Sequence, residues 1–278
     1  MDKNIFDSIL ENTFSRKNNI KDLKKEIQTL SQWIVKTLKN DGRIIFIGAG
    51  ISSEMVRIII EELWFNFSIN KNKFIVISAA KKYIDDVEKW KELEEISSIS
   101  VFELDELNLK PNDLIIGITC SGKTEYVMGA LSYAHDLKCK TSIITENKQL
   151  NFNNKVDLVL CPKSSQVSIL GLCSAEGGSI QKILLDLILY GSMEEIGRIW
   201  NGYLIFMKPV SKKLYDYCIY TLMKLLRINK SEAIDLFTES ENRLEIAILS
   251  RINKITIIKA EELIENNEYD FRKIILKK

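Results

Sequence analysis

Histidine, proline and paired cysteine are scarce in this chain, and each scarcity removes a class of chemistry. One histidine, His135, occurs among 278 residues, so a Ser-His-Asp triad would have to be built on it. It falls late in the helical stretch ALSYAHDLK, where a surface or helix-end position is the ordinary reading. Zinc sites of the common His/Cys kind lack a ligand set, and the residues call for no metal and no organic cofactor. The five cysteines (Cys120, Cys139, Cys161, Cys173, Cys218) form no CxxC pair, a pattern that fits reduced thiols. The three prolines are Pro111, Pro162 and Pro209, and two of them flank expected strands, where they do little harm. No run of about 18 apolar residues is present. The longest apolar patch, IQKILLDLILYGSM, is interrupted by Gln181, Lys182 and Asp186 and reads as a buried helix, so no membrane partner is expected. An excess of one charge is missing too. Lys plus Arg total 39 against 38 Asp plus Glu, whereas a protein that binds a phosphate backbone shows a basic surplus, so no nucleic-acid partner is expected. The opening MDKNIFDSILENTFSRKNN carries acids and no apolar run, so no signal peptide is read there and a cytoplasmic location is expected.

What is present is an alternation. Hydrophobic residues make up 46% of the chain, enough for a sizeable core. Residues 4–40 show helical spacing, with Ile5, Ile9, Leu10, then Leu23, Ile27, Leu30, Trp33, Ile34 and Leu38. Five short apolar runs follow: RIIFIG (43–48), FIVIS (74–78), DLIIGIT (113–119), TSIIT (141–145) and VDLVLC (156–161). Continuous apolar runs of this length mark strands buried on both faces. Helical patterns lie between them at 52–64, 84–95 and 124–137. Strands alternating with helices imply right-handed crossovers and an α/β three-layer sandwich around a five-stranded, mostly parallel sheet of flavodoxin-like type. From Glu176 onward the pattern reads as helical. The expected organisation is N-terminal helices over 1–40, a ligand-binding domain over 41–228 and a small helical C-terminal segment over 229–278.

In an open parallel sheet, ligands bind outside the carboxyl ends of the strands. Two strand ends here carry loops suited to an anion. The first strand runs into Gly48-Ala49-Gly50-Ile51-Ser52-Ser53, the third into Thr119-Cys120-Ser121-Gly122-Lys123-Thr124, and each is followed by a helical pattern. Small residues, hydroxyls and the free N–H groups of a helix start together cradle an anion. The bland reading, that glycine and serine simply make turns and N-caps, weighs about equally for the first loop alone. The pair is harder to explain that way. The first loop lacks the GxGxxG spacing, because Ser53 stands where the third glycine belongs, so no dinucleotide is expected.

The GAGISS turn followed by DLIIGITCSGKTEYVMGAL resembles the sugar isomerase (SIS) domain, whose Ser/Thr-rich loops grip a sugar phosphate. Within that superfamily the chain is similar to the N-acetylmuramic acid 6-phosphate etherases and the glucokinase regulatory protein. The best-matching stretches are GITCSGKTEYVMGALSYA and GGSIQKILLDLILYGSMEEIGRIWNGYLIFMKPVSKKL, and SEAIDLF and NRLEIAIL match the family's small C-terminal helices. The resemblance implies a lyase that releases D-lactate by proton abstraction beside an open-chain aldehyde, elimination and addition of water. It implies Gly50, Ser52, Ser53, Ser121, Gly122, Lys123 and Thr124 as sugar-phosphate ligands, and Glu62 and Glu92 as the two carboxylates of the reaction. Taken alone, a glutamate on a helix is a solvated surface residue.

The chain departs from the family pattern at several of these places. Ile51, Ser52, Ser53 and Glu54 stand where the family has a loop ending in Arg, and Ser174 and Glu176 stand where it has Arg and Lys. Two lost cations and one gained acid would reshape the pocket for a different or less anionic substrate. Two further readings therefore stand beside the lyase. One is a sugar-phosphate aldose–ketose isomerase, with Glu176 near the start of the last long helix as its base. The other is a catalytically silent sugar-phosphate sensor that regulates a partner protein. SIS domains commonly pair, so a homodimer is expected, with Trp33, Trp64 and Phe65 suited to its interface or equally to the core.

Overall fold

A computed structural model describes residues 20–79, 87–147, 155–162, 173–267 and 270–275. They fall into two compact units, one holding the chain through Ile60 together with Lys71–Gly191, the other Glu61–Asn70 with Ser192–Lys278.

The described part of the first unit opens with a short 3-10 turn, Ile20–Leu23, and helix α1, Lys24–Lys39. Residues 4–19 of the helix expected there lie outside the described residues. Leu30 and Ile34 of α1 are fully buried, the i, i+4 spacing of a helix with one apolar face. Five strands follow: β1 (Ile44–Gly48), β2 (Phe74–Ser78), β3 (Leu114–Ile118), β4 (Lys140–Ile144) and β5 (Leu158–Leu160). All four pairings are parallel and the order is β2-β1-β3-β4-β5. Helices α2 (Ile51–Phe67), α3 (Val87–Glu94), α4 (Ser97–Glu106), α5 (Glu125–Asp136) and α6 (Cys173–Glu195) supply the crossovers and flanks.

Every residue of β1 and β3 is buried, the outcome expected of a central strand covered on both faces. Alternation sorts them. Ile45, Ile47, Ile115 and Ile143 join Tyr126, Val127, Ala130 and Leu131 of α5 in one apolar cluster. Gly117 shares that face, and a β-carbon there would meet Val127 Cγ1 and Leu131 Cδ1 at 2.8 Å, so glycine lets α5 lie close on the sheet.

The amino ends of β1 and β3 are pinned by a buried ion pair. Asp113 accepts from Arg43 Nη2 at 2.6 Å and from the Arg43 and Lys110 amides at 2.8 and 2.9 Å. Arg43 Nη1 also donates to the Leu107 carbonyl at 2.9 Å.

The expected parallel α/β sheet is therefore what folds, with two local differences. The helical pattern read at 84–95 is described as α3 over Val87–Glu94, and a further helix, α4, follows a two-residue break at Glu95 and Ile96. The stretch after Glu176 is not wholly helical. Strands β6 (Ile199–Trp200) and β7 (Tyr203–Leu204) pair antiparallel in the second unit. Asn201 and Gly202 between them have φ of 49° and 78°, the two left-handed residues that a tight hairpin turn requires.

Five helices complete that unit: α7 (Lys212–Leu226), α8 (Lys230–Glu239), α9 (Leu244–Asn253), α10 (Ile257–Asn266) and α11 (Phe271–Ile275). Their starts are marked by the caps Ser211, Asn229 and Thr256, with Asn229 and Glu232 forming a reciprocal capping box. Phe206, Phe237, Phe271, Leu244 and Ile246–Leu249 supply its core. Trp64 and Phe65 belong to this unit, half-buried, with Lys208 Nζ 4.2 Å from the Trp64 ring centroid. Among the described residues no helix is long and apolar enough to cross a membrane.

Candidate functional site

The strand order 2-1-3-4-5 reverses direction between β1 and β3, and a sheet of this kind opens a crevice at the carboxyl ends of those two strands. The loops singled out by sequence follow β1 and β3, so the fold places them on either side of that point.

After β1 the chain turns through Gly48-Ala49-Gly50 into α2. Gly50 has φ of 54°, and its carbonyl accepts from the amides of Ser53 and Glu54 at 3.1 and 3.2 Å. Ser53 is 1% exposed. Its hydroxyl donates to the Gly50 carbonyl at 2.8 Å and lies 2.7 Å from the Ser78 hydroxyl at the end of β2. Ser53 thus holds the turn against the sheet. Ser52, half-buried, points its hydroxyl to Gln181 Oε1 at 2.9 Å.

After β3 the second loop repeats the device. Gly122 has φ of 67°, and the Lys123 amide donates to the Ser121 hydroxyl at 3.1 Å. Thr119 Oγ1 lies 2.8 Å from Thr124 Oγ1 and 3.3 Å from Ser121 Oγ. The Cys120 carbonyl accepts from the Glu146 amide and the Thr145 hydroxyl at 3.1 and 3.2 Å, and the Ser121 carbonyl from Asn147 Nδ2 at 2.9 Å. With its carbonyls strapped to the end of β4, the loop turns Ser121 and Lys123 outward, where both are exposed, while Gly122 is buried and Thr124 half-buried.

Gly117 to Thr124 match the GxxxxGKT spacing of a nucleotide-binding P-loop. The fold assigns the residues differently. Gly117 is the fourth residue of β3, turned onto α5, and the loop opens only at Thr119. The first glycine of the spacing therefore serves helix packing.

Sequence reasoning missed Gln181, treating it as an interruption in an apolar helix. It is 1% exposed on α6, accepts from Ser52 and donates through Nε2 to Cys120 Sγ at 3.1 Å. A single buried amide joins the two loops. The polar residue inside a long apolar run was the available signal. Arg57 was missed as well. One turn after Glu54 on α2, its Nε lies 3.3 Å from Glu54 Oε2, so Glu54 carries its own counter-charge.

The remaining sequence candidates lie on helices rather than in the two loops. Glu62 is exposed on α2 and Glu92 exposed on α3. Glu176 lies early in α6, and its side chain is not among those described. His135 is half-buried in the last turn of α5, as expected of a helix-end histidine. Trp33 is half-buried, with Lys140 Nζ 5.2 Å from its ring centroid.

Known proteins resemble the chain over most of its length. The SIS domain family matches residues 11–146, which include both loops. An N-acetylmuramic acid 6-phosphate etherase of Oceanobacillus iheyensis is 26% identical over 255 residues, covering 90% of this chain and 86% of that protein. An etherase of the same name from Petrotoga mobilis is 28% identical over 217 residues, covering 77% of this chain and 72% of its own length. Among solved structures, a phosphoheptose isomerase from Francisella tularensis superposes with a TM-score of 0.48 at 19% identity, over 66% of this chain and 95% of that one.

Proposed function

The chain carries a SIS domain and is similar to N-acetylmuramic acid 6-phosphate etherases over most of its length, and on that premise we propose that it binds an amino-sugar phosphate between the loops after β1 and β3 and cleaves a lactyl ether by elimination followed by hydration. The observation that carries the reading is the pair of loops at the switch point, each built on a left-handed glycine and each presenting a hydroxyl, tied together by one amide. In this reading the Ser52, Ser121 and Thr124 hydroxyls and the backbone around Gly122 hold the phosphate, and Lys123 supplies a cation. Ser53 and Gly50 shape the first loop.

The elimination needs a base for the proton beside the aldehyde and an acid for the departing lactate oxygen. Glu62 and Glu92 take those roles in the proposal. A carboxylate serves as a base while exposed, but one that donates a proton near neutral pH has to be desolvated. The substrate, or a second copy of the chain in the proposed cytoplasmic homodimer, would supply that cover. Light scattering tests the dimer, and a monomer at micromolar concentration counts against it.

The exposure of both glutamates, together with the Glu54–Arg57 pair in place of a lone arginine, favours a second reading, a sugar-phosphate sensor without turnover. Incubation of the purified chain with N-acetylmuramic acid 6-phosphate and an assay for D-lactate separates the two. Release that disappears in Glu62→Gln supports the lyase. Binding without release moves the assignment to the sensor.

A further inference from the structure

Gln181 has two hydrogen-bonding ends and two partners in different loops. Its Oε1 accepts a hydrogen bond from the Ser52 hydroxyl at 2.9 Å and its Nε2 donates one to Cys120 Sγ at 3.1 Å. At 1% exposure the amide has no recourse to water, and leaving either end unpaired is costly. Ser52 is in a contrary position. Its hydroxyl carries one proton, and while that proton goes to Gln181 it cannot go to a phosphate oxygen.

A half-turn of the amide resolves the conflict without losing either bond. Nε2 then donates to Ser52 Oγ, and the Cys120 S–H donates to Oε1. A hydroxyl both accepts and donates, and a thiol does so weakly, so both partners tolerate the reversal. In the second arrangement the Ser52 proton points away from Gln181 and is free for an anion.

We propose that Gln181 is a positioning residue of the phosphate site: its amide fixes the spacing of the two loops and, by a half-turn, sets whether the Ser52 hydroxyl donates inward or to a bound phosphate. The inference rests on the sugar-phosphate reading for its ligand, though not for the coupling of the loops.

The test uses the full chain with two probes, N-acetylglucosamine 6-phosphate and inorganic phosphate, measured by calorimetry. In Gln181→Glu the ionised carboxylate only accepts, so Ser52 stays locked inward. Affinity for both probes falls by about 30-fold or more where the carboxyl is ionised. Burial raises that carboxyl above its ordinary value, and once pH falls far enough to protonate it the acid regains a donor and affinity relative to wild type at the same pH recovers to within about threefold. A loss that acidification does not repair overturns the proposal. Where Gln181→Glu does not fold, hydrogen exchange on ligand-free Ser52→Ala replaces it. Removing the Ser52 hydroxyl frees one end of the amide, so the Gly122 and Lys123 amides in the opposite loop exchange faster than in wild type. Unchanged exchange there overturns the coupling. If wild type binds neither probe, the sugar-phosphate reading fails by itself, and the exchange measurement still decides whether Gln181 couples the loops.

Discussion

Arg43 Nη2 lies 2.6 Å from Asp113 Oδ2 across the amino ends of the two central strands, with 1% of the aspartate side chain exposed. Burial pushes the Asp113 carboxyl up, but the Arg43 guanidinium and the Lys110 and Arg43 amides outweigh it and hold the carboxyl below its ordinary value. A carboxylate depressed in the folded state adds stability above its unfolded value, 3.8, and loses it as pH falls through the folded value. Asp113→Ala leaves Arg43 without its carboxylate and four donors without their acceptor. The expected cost is about 3–5 kcal/mol at neutral pH. Thermal melts should show a gap between wild type and variant that is constant above about pH 5 and narrows below it; a gap unaffected by acid contradicts the assignment.

The two left-handed glycines of the loops are open to direct test. Gly50 and Gly122 have φ of 54° and 67°, where a β-carbon strains the backbone by about 1–2 kcal/mol. Gly50→Ala and Gly122→Ala should each lower stability by that amount and weaken N-acetylglucosamine 6-phosphate binding by about tenfold or more. A variant destabilised with unchanged affinity removes its loop from the site.

Much of this architecture was legible because a strand covered on both faces leaves a plain trace. IIFIG and LIIGI are apolar throughout, and both became fully buried central strands. The loops were legible for a related reason, since small residues directly after such a run have few structural uses. The hairpin at Ile199–Leu204 escaped because its strands are two residues each, too short for alternation, although Asn201-Gly202 is a turn signal in its own right. Helix α4 escaped because SSISVFELDE has no one-sided apolar pattern, with Ser100 and Leu104 its buried residues. Gln181 escaped for a deeper reason: its partners lie 129 and 61 residues away in sequence, and helical periodicity carries no information about which loops a helix faces.

Thiol reactivity should divide the cysteines by place. Burial pushes the Cys139 thiol up to about 11 and the Cys218 thiol up to about 12, so both remain protonated and unreactive at pH 8. Cys120 and Cys161 are half-buried and held in no disulfide. Ellman's reagent on the folded chain should modify Cys120 and leave Cys139 and Cys218 intact, with mass spectrometry locating the adducts. N-acetylglucosamine 6-phosphate should slow modification of Cys120. Equal rates with and without the sugar phosphate would place the ligand elsewhere.

The second unit contains a carboxylate of the opposite kind. Glu245, on the first turn of α9, is 7% exposed. Burial drives its carboxyl up, and the nearby Arg243, whose Nε lies 3.0 Å away, offsets this only in part. An acid raised in the folded state is held there as a proton carrier, so stability falls as pH rises from its unfolded value, 4.5, through the folded one. Glu245→Gln keeps the shape and removes the ionisation, while Arg243 retains Glu261 as a partner. The variant should match wild type in acid and melt higher than wild type at neutral pH. Glu245→Ala, which opens a cavity instead, should melt lower at both. If Glu245→Gln melts lower than wild type at neutral pH, the Arg243 pairing outweighs the cost of burial, and Glu245 is ionised and stabilising in the folded chain.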